Sequence, residues 1–87
     1  MIEINYQDSF VKDFKKLPLE IRQKASELEE LFRKNPFHPL LHAKKLQGSL
    51  SSFFSFRITR EYRVIYRFCS KDEVAFLAVK HRKDIYK

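Results

Sequence analysis

The stretch from Phe53 to Phe68 reads as β-strand, and its two-residue alternation is what most restricts the possible folds. Val64, Tyr66 and Phe68 share one parity, and Arg63 and Arg67 share the other. Successive strand side chains point to opposite faces of a sheet, so one face is expected to be apolar and the other cationic. Arg57 and Arg60 stand just upstream in the same stretch. Arginine is uncommon in a half-buried strand, where alternate positions normally serve the core and neutral solvent contacts. A row of guanidinium groups fixed on a rigid sheet suits phosphate, which makes a nucleic acid the first ligand to consider.

The rest of the chain supplies what such a sheet must pack against. At 87 residues it is expected to form one domain, residues 1–87, with a single modest core. With one Gly and three Pro, most residues should lie in regular elements. Ile2 to Tyr6 reads as a first strand. Asp8-Ser9 offers an N-cap to a short helix with Phe10, Val11, Phe14 and Leu17 at helical spacing. Pro18 suits the first turn of a second helix, where Ile21, Ala25, Leu28, Leu31 and Phe32 recur every three or four residues. Asn35-Pro36 ends it.

From Phe37 to Ser52 the pattern lapses into an irregular connection with room for a turn of helix. Strands then follow at about Phe53 to Ile58, Tyr62 to Phe68 and Glu73 to Val79. Thr59-Arg60-Glu61 and Ser70-Lys71-Asp72 are short enough to be hairpin links. The order βααβββ predicts an α+β domain with a helical hairpin packed on one face of a small antiparallel sheet. Phe54, Phe56, Ile58, Val64, Tyr66, Phe68, Phe76 and Ala78 should face inward. The opposite face is left to the arginines and the C-terminal segment.

Charge points the same way. The formal net charge is +7, with 18 Lys+Arg against 11 Asp+Glu, which implies a polyanionic partner. The acidic residues concentrate before Phe32, so the cationic surface should belong to the C-terminal half. No apolar run approaches the roughly 18 residues that span a bilayer, and the N-terminus lacks a signal-peptide layout; a cytoplasmic location without membrane contact is expected. Cys69 has no partner for an internal disulfide and reads as a buried small hydrophobe.

The residue types also narrow the chemistry. His38, His42 and His81 are scattered, so no metal site is expected, and one Gly cannot build a phosphate loop. Without a cofactor, catalysis would rest on acid–base and electrostatic effects. RNA cleavage by attack of a 2′-OH on the adjacent phosphate fits that limit. It needs a base, an acid and cations over the developing charge. Arg57 and Arg63 supply cations, His81 is a natural proton carrier, and Tyr86 can stack on an unpaired base or bond a phosphate. The plain alternatives are that Arg57 and Arg63 pair with Glu61 and Glu73, and that His81 is an ordinary surface residue.

Leu46-Gln47-Gly48, the string from Phe53 to Tyr66, and His81-Arg82-Lys83-Asp84-Ile85-Tyr86 closely resemble the RelE/ParE toxin superfamily. The Ser-x-Arg-Ile-Thr-x-Glu-x-Arg-x-x-Tyr portion looks most like its YoeB (Txe) branch. The resemblance implies a RelE-like fold and the toxin of a type II toxin–antitoxin pair, acting as a ribosome-dependent mRNA endoribonuclease without cofactor. It implies that Arg57 and Arg63 stabilise the scissile phosphate, that His81 falls near an acid–base position, and that Tyr86 orients the nucleotide. Lys44, Lys45, Arg60, Arg82 and Lys83 would grip RNA. It further implies an acidic antitoxin as partner, with operator DNA reached only through that antitoxin.

One departure concerns the base. YoeB-like members carry a Glu before the Leu corresponding to Leu46, where this chain has Lys44. His81, Lys44 and Glu61 are the candidates, in that order. A ParE-like gyrase poison and an inactive RelE-fold binding protein are the competing readings.

Overall fold

The computed structural model describes residues 1–86. Strand β1 (Glu3–Tyr6) leads into helices α1 (Asp8–Lys15) and α2 (Leu19–Lys34). Then come β2 (Lys44–Lys45), β3 (Phe54–Arg57), β4 (Tyr62–Ser70) and β5 (Glu73–His81). Short 3-10 turns occupy Pro39–Leu41, Gly48–Leu50 and Arg82–Asp84. The sheet order is β1-β5-β4-β3-β2, antiparallel except where β1 runs parallel to β5. This is the expected α+β arrangement of two helices on a sheet, with one addition. The connection read as irregular contains β2, a two-residue edge strand paired with β3.

The helices cover one face because both present apolar stripes to it. Phe32 of α2 is fully buried, with ring centroids 5.3 Å from Phe56, 5.0 Å from Tyr66 and 5.3 Å from Phe76. Phe10 of α1 reaches the same group through Phe76, at 5.4 Å. Such clusters supply large buried area and favourable ring geometry together. Asp8 and Ser9 do not cap α1 as expected. Its N-cap is Gln7, without a side-chain cap bond, and both residues lie inside the first turn. Pro18 likewise precedes α2 as its N-cap, with extended ψ of 151°, since the helix starts at Leu19.

Ser9 has another task. Strand β1 stops at Tyr6, so the outer edge of β5 beyond Phe76 has no strand neighbour. Ser9 and Asp13, one helical turn apart, serve that edge. The Ser9 hydroxyl donates to the Leu77 carbonyl, and Asp13 Oδ2 accepts from the Val79 N–H at 2.9 Å. Helix α1 thus does the work of a longer β1, and buried backbone groups find their partners.

Two irregularities in the β4–β5 ladder alter which side chains face the helices. Ile65 pairs with Ala78, but Tyr66 pairs with Phe76, leaving Leu77 as an extra residue in β5. Parity flips there. Ala78, expected inward, shares the face of Ile65 away from the helices, and Val79 points into the core instead. At the far end Phe68 pairs with Val74 and Ser70 with Glu73, so Cys69 is the extra residue. Cys69 is exposed rather than buried, because the bulge and its parity both turn it from the core. The other expected inward residues of β3 and β4 do belong to the core or pack against it.

Candidate nucleic-acid interface

The face away from the helices is built by cross-strand register. Arg57 of β3 lies opposite Arg63 of β4, and Arg63 lies opposite Lys80 of β5. Directly opposed residues project from the same face, with Cα atoms about 5 Å apart. Three cations therefore stand in one row across three strands. Like charges so opposed destabilise a sheet. Lys80 was missed in the sequence because the strand was read as ending at Val79. The parity of Val79 within a longer strand would have found it.

Among the described residues, the ion pairs with Glu are made by Arg33 and His81 and not by members of this row. Glu61 and Glu73, the carboxylates that could have paired with the arginines, are engaged elsewhere. Glu61 faces His81 at 3.4 Å, and Glu73 accepts from the Asn5 side chain at 2.8 Å. Burial is the main cause that lowers the Arg63 pKa, and repulsion from Arg57 and then Arg82 adds to it. Arg82 therefore belongs electrostatically to the cluster. The Arg57 Nε is buried without a hydrogen-bond partner, a costly state that an anion could relieve.

A second row runs Lys44–Ser55–Ile65–Ala78 on the same face. Ser55 and Leu46 are buried although neither belongs to the main core cluster. The C-terminal segment reaches this region. After β5 the chain turns at Arg82–Asp84, held by the Arg82 N–H donating to the Glu61 carbonyl at 2.7 Å. Tyr86 then accepts a hydrogen bond from the Gln47 N–H at 3.2 Å, next to the opposite edge strand β2. A cavity of about 720 Å³ opens there, lined by Lys44, Lys45, Gln47, Gly48 and Tyr86. Gly48 adopts φ +66°, a conformation that side chains rarely tolerate. Lys44 and Lys45 both border the cavity, but register divides them: Lys44 opposes Ser55 on the arginine face, and Lys45 opposes Phe54 on the helix side.

His81 is held differently from the arginines. It opposes Tyr62, so its side chain has the parity of the other face, and its ring sits 5.6 Å from the Tyr62 ring. Nδ1 accepts from the Lys83 N–H at 3.2 Å, and Nε2 lies against Glu61. Both nitrogens are thus occupied in securing the C-terminal turn. Arg60 and Lys83 are exposed, Arg60 in the β3–β4 loop and Lys83 in the final turn. In sum, the fold brings Arg57, Arg63, Arg82, Lys80 and Lys44 toward one side, with Tyr86 at its β2 edge. His81 and Lys45 point away from that side by register. Among the described residues no group of three or more His, Cys, Asp or Glu is placed to hold a metal ion, and no helix is long and apolar enough to cross a membrane.

A small sheet that bears two helices on one side is a fold shared with solved toxin structures. The structure of YafQ from Escherichia coli aligns with a TM-score of 0.80, at 19% identity over 100% of both chains. The YoeB–YefM complex from Staphylococcus aureus gives a TM-score of 0.75 at 20% identity, covering 94% of this chain and 98% of that one. The toxin–antitoxin complex RelBE2 from Mycobacterium tuberculosis gives 0.68 at 30% identity, covering 93% of this chain and 98% of that one. No curated protein sequence matches significantly. The family model for the YoeB-like toxin of bacterial type II toxin–antitoxin systems matches residues 6–83. The chain belongs to that YoeB-like toxin family.

Proposed function

We propose that this toxin is a ribosome-dependent mRNA endoribonuclease that uses the RNA's own 2′-hydroxyl as nucleophile. In that reaction the 2′-oxygen bonds to the adjacent phosphorus and the bond to the 5′-oxygen breaks. The 2′-proton leaves to a base, and the 5′-oxygen takes one from an acid. The products are a 2′,3′-cyclic phosphate and a 5′-hydroxyl end. Charge accumulates on the phosphate oxygens between these events, and preorganised cations lower that barrier most.

The observation that carries the reading is the Arg57–Arg63–Lys80 row, set by register across three strands of the sheet, with Glu61 and Glu73 engaged elsewhere. Arg57 and Arg63 would hold the scissile phosphate, with Lys80 beside them. Tyr86 would orient a nucleotide at the neighbouring cavity. Of the candidates for proton transfer, Lys44 alone shares the arginine face by register, so it takes precedence over His81 and Glu61, which engage each other. His81 would act through the turn it secures. Arg60, Arg82 and Lys83 would grip the RNA backbone, with Lys45 contributing from the cavity's edge.

An acidic antitoxin would neutralise the cluster, as the neighbouring YoeB–YefM and RelBE2 structures contain antitoxin partners. Operator DNA would be reached through that antitoxin. The decisive experiment adds purified protein to a cell-free translation reaction and maps mRNA ends. New 5′ ends inside ribosome-occupied codons, absent from naked mRNA, are expected. Intact mRNA together with trapped gyrase–DNA cleavage complexes would instead favour a gyrase poison.

A further inference from the structure

A second surface lies on the helix-bearing side, beyond the end of α2. Phe37 is 62% exposed, and its ring stacks on Phe68 at 6.0 Å. Phe68 in turn meets Phe54 edge-on at 5.4 Å, and Phe54 lies opposite Lys45 in the sheet register. Leu40, three residues after Phe37 on the same connection, is 63% exposed. Two side-chain bonds fix this connection: Asn35 Oδ1 accepts from the Phe37 N–H at 3.0 Å, and His38 Nδ1 accepts from the Leu40 N–H at 3.1 Å. The connection is thus prearranged; Lys34, the last residue of α2, stands three residues before Phe37 in the chain, and Lys45 lies opposite Phe54 in the sheet.

We propose that this patch docks an acidic amphipathic segment of a partner protein. Its apolar side chains would cover Phe37, Leu40 and Phe68, and its carboxylates would meet Lys34 and Lys45. Solvent-exposed aromatic anchors on a rigid support are what interface centres use. The lysine rim selects the sign of the partner. A second copy of this chain is a poor occupant, because each carries a net charge of +7 and the lysine rims would be brought together. RNA fits less well than protein: Leu40 has no ring face on which a base can stack. The patch and the arginine row lie on opposite sides of the sheet, so a partner held here leaves the arginines uncovered unless it wraps around an edge. This proposal stands apart from the nuclease reading.

The test uses the full chain, isotopically labelled for NMR. The probes are an 18-residue peptide with Glu on one helical face and Leu on the other, a scrambled peptide of equal charge, and a hexanucleotide RNA. The amphipathic peptide should shift the amides of Phe37, Leu40 and Phe68, and bind at least tenfold more tightly than its scrambled form. Phe37→Ser with Leu40→Ser should abolish that preference, and Lys34→Glu, which leaves the apolar surface intact, should weaken the peptide alone. Equal affinities for both peptides, shifts confined to Arg57 and Arg63, RNA-induced shifts at Phe37, or dimerisation through the patch would each overturn it.

Discussion

At the scale of single residues, burial separates groups that a sequence lists as equivalent. Arg63 is half-buried on a strand, whereas Arg82 is exposed on a 3-10 turn. A preorganised, partly desolvated cation stabilises transition-state charge better than a mobile surface one. Arg63→Ala is therefore expected to lower mRNA cleavage by about 100-fold or more, and Arg82→Ala by under about tenfold. Single-turnover assays on ribosome-bound mRNA measure both, and equal losses would remove Arg63 from its assigned role. Tyr66 offers a contrasting case. Its hydroxyl is buried without a partner, and burial raises its pKa. Tyr66→Phe keeps the ring among Phe32, Phe54 and Phe56 while deleting the orphaned polar atom. Stability should stay level or rise by up to about 1 kcal/mol in urea denaturation, because unmade buried hydrogen bonds are costly.

At the scale of elements, the least visible parts were those whose partners lie far away in sequence. The alternation of Val64, Tyr66 and Phe68 announced β4 and its two faces, because core residues on that strand keep a strict period. Two lysines carry no such pattern, so β2 could be recognised only from its pairing with β3. The bulge at Leu77 inverted the assignment of Ala78, since an inserted residue breaks the period without changing composition. The role of α1 as a stand-in for a longer β1 was equally hidden, resting on Ser9 and Asp13 reaching across 66 or more positions. Asp13→Ala should leave the Val79 N–H unpaired and cost about 1–3 kcal/mol. A urea midpoint within error of the parent would show that the bond contributes nothing. Of the candidate site, Arg57, Arg63 and Tyr86 could be proposed from the sequence because they stand in strong local strings. Lys80 and the turning away of His81 depended on where β5 ends.

At the scale of the whole molecule, positive charge is segregated rather than spread. The acidic residues of α2 are partly neutralised at home: Glu29 and Glu30 both pair with Arg33, whose guanidinium also donates to Tyr6 at 2.7 Å. On the sheet, by contrast, Arg57, Arg63 and Lys80 stand opposite one another in register. Association with single-stranded RNA should then depend steeply on salt, with log K against log salt falling with a slope of roughly −3 for about four phosphate contacts. Fluorescence anisotropy at several salt concentrations checks this, and a flat response would mean that the row does not meet RNA.

The row of Arg57, Arg63 and Lys80 also has a consequence for the gene's fate. Because mutual repulsion is built into the fold, swapping any of these for a neutral residue should disarm the protein while making it melt later. Escape from poisoning would then favour sturdy, harmless copies over broken ones.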